Sequence, residues 1–298
     1  LGTAFPMFFL IFLGKKIRKE FPRGSTLVEF LRIRFKKSLF KLILLMTVFY
    51  MFIFLCAEVT AVAVLINYIS GTELWKTALI VLISTLAYTL YGGLRASIFT
   101  DNIQMIVILL LLCISFIYIN SLAGSEFSFS YVREKNPQLL SSSYIPSYTA
   151  GLTFFIAVAA TNLFHQGNWQ RVFAAKNNYI LKKSLIYSSI ISFLIVFWMG
   201  YTGLISFSID EKVNPDLAFF NLILSNKNFI IILSILILAF SLTLSTIDTL
   251  INAISSLMLV NGNQINKFFD KNRIRNKVNR FILLLSGIVF LFASKGYS

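Results

Sequence analysis

YTLYGGLRASIFTDNIQMIVILLLL, residues 88–112, closes one apolar run on a Gly pair and an Arg, sets down a Thr-Asp, and opens a second apolar run. The chain around it places both runs in lipid. Of 298 residues, 57% are hydrophobic and 13% charged, with 31 Phe. A soluble domain carries about 25% charged residues. Continuous apolar runs recur at 42–57, 103–119, 184–207 and 228–240, the last continuing with small polar residues to 260. Several approach the ~20 residues that cross a bilayer as a helix. Lipid offers unpaired backbone groups no partner, so an all-α integral membrane protein follows. The alternation of a transmembrane barrel, in segments of about ten residues, is absent.

On both sides of residues 88–112 the sequence predicts about eight membrane segments in all, at 1–13, 42–69, 74–91, 101–122, 148–169, 184–207, 228–260 and 281–294. Alternate loops then lie on opposite sides. Of the 27 basic residues, only Lys76, Arg133, Lys135, Lys212, Lys227 and Lys295 fall on one side. The rest crowd the other, which the positive-inside rule makes cytoplasmic: loops 14–41, 170–183 and 261–280. The net charge of +15 therefore reads as topology and not as a nucleic-acid surface. Cys56 and Cys113 sit inside apolar runs and read as small core residues. His165 is the only His, and no P-loop, GxSxG, HExxH or CxxC is present. An enzyme and a resident metal or organic cofactor are both disfavoured.

Polar residues inside the apolar runs carry the functional signal. In ILAFSLTLSTIDTLINAISSLMLV (237–260), Ser241, Ser245, Asp248, Asn252 and Ser255 recur every three or four residues. That spacing puts them on one helix face. Thr246 and Thr249 border the stripe, and the opposite side is Leu, Ile, Ala and Met. An Asp at a helix centre in lipid costs roughly 2.5–3.5 kcal/mol on insertion scales, so Asp248 needs a partner: an interhelical hydrogen bond or a cation. Glu58 is a second acid in an apolar run, open between pairing and facing a cavity. Asp101 has two compatible readings. It can cap the helix that follows, with Gln104 three residues on, and its second oxygen can meet an ion. The stretch 148–171 has a small-residue middle and then Asn162, His165, Gln166, Gly167, Asn168 and Gln170. It is either a broken helix at membrane depth or a helix end rising into the interface.

Three of these stretches resemble one family. YTLYGGLRASIFTDNIQ, NWQRVFAAKN and STIDTLINAISSL, in this order, are similar to the signature segments of the sodium:solute symporters. The resemblance implies the inverted-repeat transporter fold of five plus five core helices. This chain would begin inside the second core helix and end inside the ninth, a single transmembrane transporter domain over 1–298 that is incomplete at both ends. The resemblance also implies sodium sites. The hydroxyl pair of the eighth core helix matches Ser245 and Thr246, and a second site, found in some members, matches Asp101, Asp248 and Thr249. Asp248 departs from the hydroxyl usual at its position. Gln166 matches a sixth-helix Gln near the solute, and His165 stands where members vary.

The function implied is secondary active transport at the plasma membrane. Inward sodium flux would drive uptake of a small polar organic solute, with sodium, solute and lipid bilayer as partners. The alternatives are a proton-coupled carrier, in which Asp101 or Asp248 takes the proton, and the solute-sensing membrane domain of a larger receptor.

Overall fold

The computed structural model describes residues 2–22, 24, 26–126, 129–210, 212, 214–224, 228–263 and 271–296. Arg23, Lys227 and Lys267 lie outside them, as does the middle of the loop expected at 261–280. The described elements are helical: α1 (Ala4–Glu20), α2 (Leu27–Arg34), α3 (Lys37–Ser70), α4 (Leu74–Glu126), α5 (Phe129–Lys135), α6 (Ile145–Phe164), α7 (Gln166–Ala174), α8 (Asn178–Ile209), α9 (Ala218–Leu224), α10 (Phe229–Asn263) and α11 (Lys271–Ala293). Short 3-10 turns occur at Pro137–Leu140 and Pro215–Leu217. Among the described residues, 6 helices are long and apolar enough to cross a bilayer: Lys37–Ser70, Leu74–Ser121, Ile145–Phe164, Asn178–Ile209, Phe229–Leu257 and Asn276–Ala293. The chain is a multi-pass membrane protein. The short first run belongs to α1 and is not among these spans.

The expected segments 74–91 and 101–122 both fall in α4, which is two helices joined across a kink. At 1.5 Å per residue α4 holds two arms of about 30 and about 50 Å, each long enough for the ~30 Å of hydrocarbon. It bends at Gly93, where φ is 53° and ψ −141°. An L side chain rarely adopts that backbone, whereas Gly does so readily. The residue before it is also constrained, because a Cβ on Gly92 would run into the Cβ of Ala96. The Gly pair is thus the bend itself. The helix resumes directly after it and continues through Asp101. This corrects the capping reading, since Asp101 and Gln104 sit inside a helix and start nothing.

The stretch expected as one segment at 148–169 is also broken. The 20 residues of α6 make about 30 Å, a full crossing on their own. His165 then leaves the helical region (φ −67°, ψ 112°), and its side chain accepts from Gly167 N to start α7. A further helix stands in the basic loop expected at 14–41. Thr26 Oγ1 accepts from Glu29 N at 3.0 Å and starts α2, a Thr-x-x-Glu pattern that marks helix starts.

Contacts divide the chain into two compact units. One comprises Leu1–Leu13, Leu109–Leu163 and Lys176–Leu238. Within it Trp198 packs on Phe116 and Phe219, and Phe5 on Phe155. The other comprises Gly14–Ile108, Phe164–Ala175 and Ala239–Ser298. Its core joins Met51, Leu55, Val59 and Val62 of α3, Ala78, Val81 and Leu82 of α4, Ile247, Leu250, Ile251 and Ile254 of α10, and Ile282, Leu285 and Val289 of α11. Asp248, Asn252 and Ser255 of α10 are buried as well. The inner half of α10 is therefore enclosed on both its apolar and its polar side. Lipid solvates Leu as well as a neighbouring helix does, so apolar contact alone would not require this enclosure. The polar stripe does. At one place in this unit Arg18 Nη2 donates to Ala175 O at 2.7 Å, and at another Leu74 lies beside Gly296.

Candidate functional site

The bend at Gly93 sets the part of α4 beyond it antiparallel along the polar stripe of α10. Position 93 faces Asn252 Oδ1 across about one van der Waals contact, 4.0 Å from an added Cβ. One turn on, Ser97 Oγ donates to Asp248 Oδ1 at 2.9 Å. Thr100 Oγ1 lies 3.3 Å from Asp248 Oδ2. Ser245 Oγ donates to Asp101 Oδ1 at 2.5 Å. Each turn of one helix thus meets a turn of the other through a polar pair. Asp248 is fully buried and Ser97 nearly so, at 0% and 2% exposure.

The third wall is α7. Its first turn passes so close to α10 that a Cβ on Gly167 would stand 2.7 Å from Thr249 Cγ2. Only Gly permits that approach. Gln170 Nε2 reaches Asn252 O at 3.4 Å. Arg171 Nη2 then donates to Asp101 Oδ2 at 2.7 Å and to Thr249 Oγ1 at 3.1 Å. Thr249 Oγ1 in turn lies 3.3 Å from Asp248 Oδ1 and can donate to it. A chain of contacts therefore runs from Asp101 through Arg171 and Thr249 to Asp248.

The two carboxylates differ in how they are satisfied. Asp101 has an ionised donor on one oxygen and a hydroxyl on the other. On Asp248, Oδ1 takes Ser97 and Thr249. Its Oδ2 takes Thr100, whose hydroxyl also lies 3.0 Å from Ala96 O and 3.0 Å from Ser97 O, and the Tyr88 hydroxyl is a further hydrogen-bonding neighbour of this carboxylate. A hydroxyl carries a single proton. When Thr100 gives it to the helix carbonyls, two lone-pair oxygens face each other. A cation or a proton between them resolves the conflict.

Of the residues singled out in the sequence, the structure brings Asp101, Ser245, Asp248 and Thr249 into this cluster. Thr246 stands apart, with Oγ1 returned to Leu242 O of its own helix at 3.1 Å. His165 and Gln166 lie at the break before α7. Gln166 is buried, and His165 packs edge-on against Tyr50 of α3, with ring centroids 6.4 Å apart. Glu58 on α3 is half-buried outside the cluster. Sequence reasoning missed Ser97, Thr100 and Arg171 as members. The signal for the first two was their spacing from Asp101, four residues and one residue before it on a helix.

This constellation stands on the three segments whose order pointed to one family, and the family model of the sodium:solute symporters matches residues 4–293. The chain belongs to the sodium:solute symporter family. Among its relatives, the spermidine transporter DUR31 of Candida albicans is 27% identical over 295 residues, 97% of this chain and 54% of that protein. The sodium/glucose cotransporter 1 of Ovis aries is 37% identical over 87 residues, 28% of this chain and 13% of that protein. This symporter-family chain thus spans about half the length of the fungal relative it matches.

Proposed function

We propose that the protein belongs to a secondary active transporter of the plasma membrane that couples inward sodium flux to uptake of a small polar organic solute. Sodium binds in the α4–α7–α10 cluster, among Asp101, Ser245, Asp248 and Thr249, with Thr246 on the adjoining strip of α10. The observation that carries this reading is Asp248. It is a carboxylate with no exposed surface, surrounded by hydroxyl oxygens from two antiparallel helices, one of which is broken. An all-oxygen set at a broken helix suits a hard monovalent cation. Gln166 and His165, at the break before α7, are the proposed solute contacts. The fold we propose for the whole protein is the inverted repeat of five plus five helices. The proposed cytoplasmic side holds 14–41, 170–183 and 261–280. In support, Arg18 and Ala175 meet, as residues of one side should, and so do Leu74 and Gly296 of the other.

The relatives' names supply the solutes to try, since spermidine is a polycation and glucose is neutral. Uptake of each by vesicles holding the full-length protein, with sodium or choline outside and pH clamped, tests the proposal. We expect sodium-dependent uptake of at least one solute. The second reading is proton coupling, and the contested hydroxyl at Asp248 Oδ2 favours it too, because a proton relieves that conflict as a cation does. Uptake that ignores sodium and follows an imposed pH gradient would establish it. Binding without uptake under either gradient would point to a sensor.

A further inference from the structure

We infer that Asp101 is not a ligand of the sodium but holds Arg171 away from Asp248, where the sodium sits. The inference rests on the sodium reading above and divides its residues into two roles. Both oxygens of Asp101 are already engaged, Oδ2 by Arg171 at 2.7 Å and Oδ1 by Ser245 at 2.5 Å. A guanidinium is always charged and has donors only, so it stands where a cation would. With two carboxylates and one guanidinium, the cluster has a single negative charge left to neutralise, and that charge belongs to Asp248.

Arg171 is also the nearest rival to the sodium. Its Nη2 touches Thr249 Oγ1 at 3.1 Å, and that hydroxyl touches Asp248 Oδ1 at 3.3 Å. One hydroxyl separates the guanidinium from the second carboxylate. The Arg171 side chain is 46% exposed, so it has room to turn. A tethered group competes at the high effective concentration of an intramolecular ligand. Without the charge of Asp101, the nearest anion for Arg171 is Asp248, and the sodium must then displace a tethered cation. Asp101 is thus a positioning residue that acts through Arg171.

The test is a rescue in the full-length transporter, read as the sodium concentration that gives half-maximal uptake. Asp101→Asn should raise it about tenfold or more, as expected for one freed charge near a buried site. Adding Arg171→Gln to Asp101→Asn should bring it back to within about threefold of the parent, since charge and competitor leave together. A double variant as impaired as Asp101→Asn would overturn the inference and make Asp101 a ligand. Where a variant does not transport, sodium-dependent protection of the purified protein against thermal unfolding reads the same order of affinities. A parent protein indifferent to sodium in both assays would overturn the sodium reading itself, and a sodium-dependent parent without rescue would overturn only this step.

Discussion

Asp248 and Glu58 are both acids on membrane-spanning helices of the same unit, and their surroundings are opposite. Asp248, on α10, is fully buried and meets hydroxyls of Ser97, Thr100 and Thr249. Glu58, on α3, is half-buried and shares its helix face with Met51, Leu55 and Val62. It makes no hydrogen bond or ion pair among the described residues. An acid in an apolar run is costly in either place. What separates them is convergence. Two helices and a broken third wall bring neutral oxygens to Asp248, and those oxygens can replace the water that a cation loses. A lone carboxylate on a Leu-lined face has no such help.

The largest effect should come from Asp248→Asn, which removes the one uncompensated charge in the cluster. We expect half-maximal sodium activation of the full-length transporter to rise about a hundredfold, as befits a close charge pair in a poorly screened site, with surface abundance near the parent's. Next comes Gly167→Ala. Its Cβ would meet Thr249 Cγ2 at 2.7 Å and His165 Cε1 at 2.9 Å. Overpacking of this kind costs about 1–3 kcal/mol, so thermal stability should drop, and sodium affinity should fall with it as Thr249 is pushed aside. A stability loss with unchanged sodium affinity would uncouple α7 from the site. The smallest effect should be Glu58→Gln, near-isosteric and outside the cluster. Half-maximal activation should stay within about twofold. A loss there as large as at Asp248 would erase the contrast between the two acids and make α3 part of the coupling path.

The membrane helices were legible because runs of Leu, Ile and Phe have one stable fate in lipid. The stripe on α10 was legible for the same local reason, a helical period within one segment. The Gly pair at 92–93 read as the break between two segments, which it is, but the second helix starts directly after Gly93 and not at Asp101, since the positive φ of Gly93 leaves no mark in composition. That is why Asp101 read as a cap. Arg171 read as a topology charge, because its partner Asp101 lies 70 positions away and only the fold joins them. Thr246 read as a border residue of the stripe, and its hydroxyl turns back to Leu242 of its own helix. Long-range pairing decided the place of Arg171, and backbone conformation that of Gly93, whereas single-sequence periodicity reports only local faces.

In the proposed transporter a sodium ion rests on Asp248. Equilibrium binding of radioactive sodium to the purified full-length protein, at fixed pH and without solute, tests it most directly. We expect saturable binding by the parent protein that is lost in Asp248→Asn at the same sodium concentrations. Binding of equal affinity and stoichiometry in Asp248→Asn would contradict it.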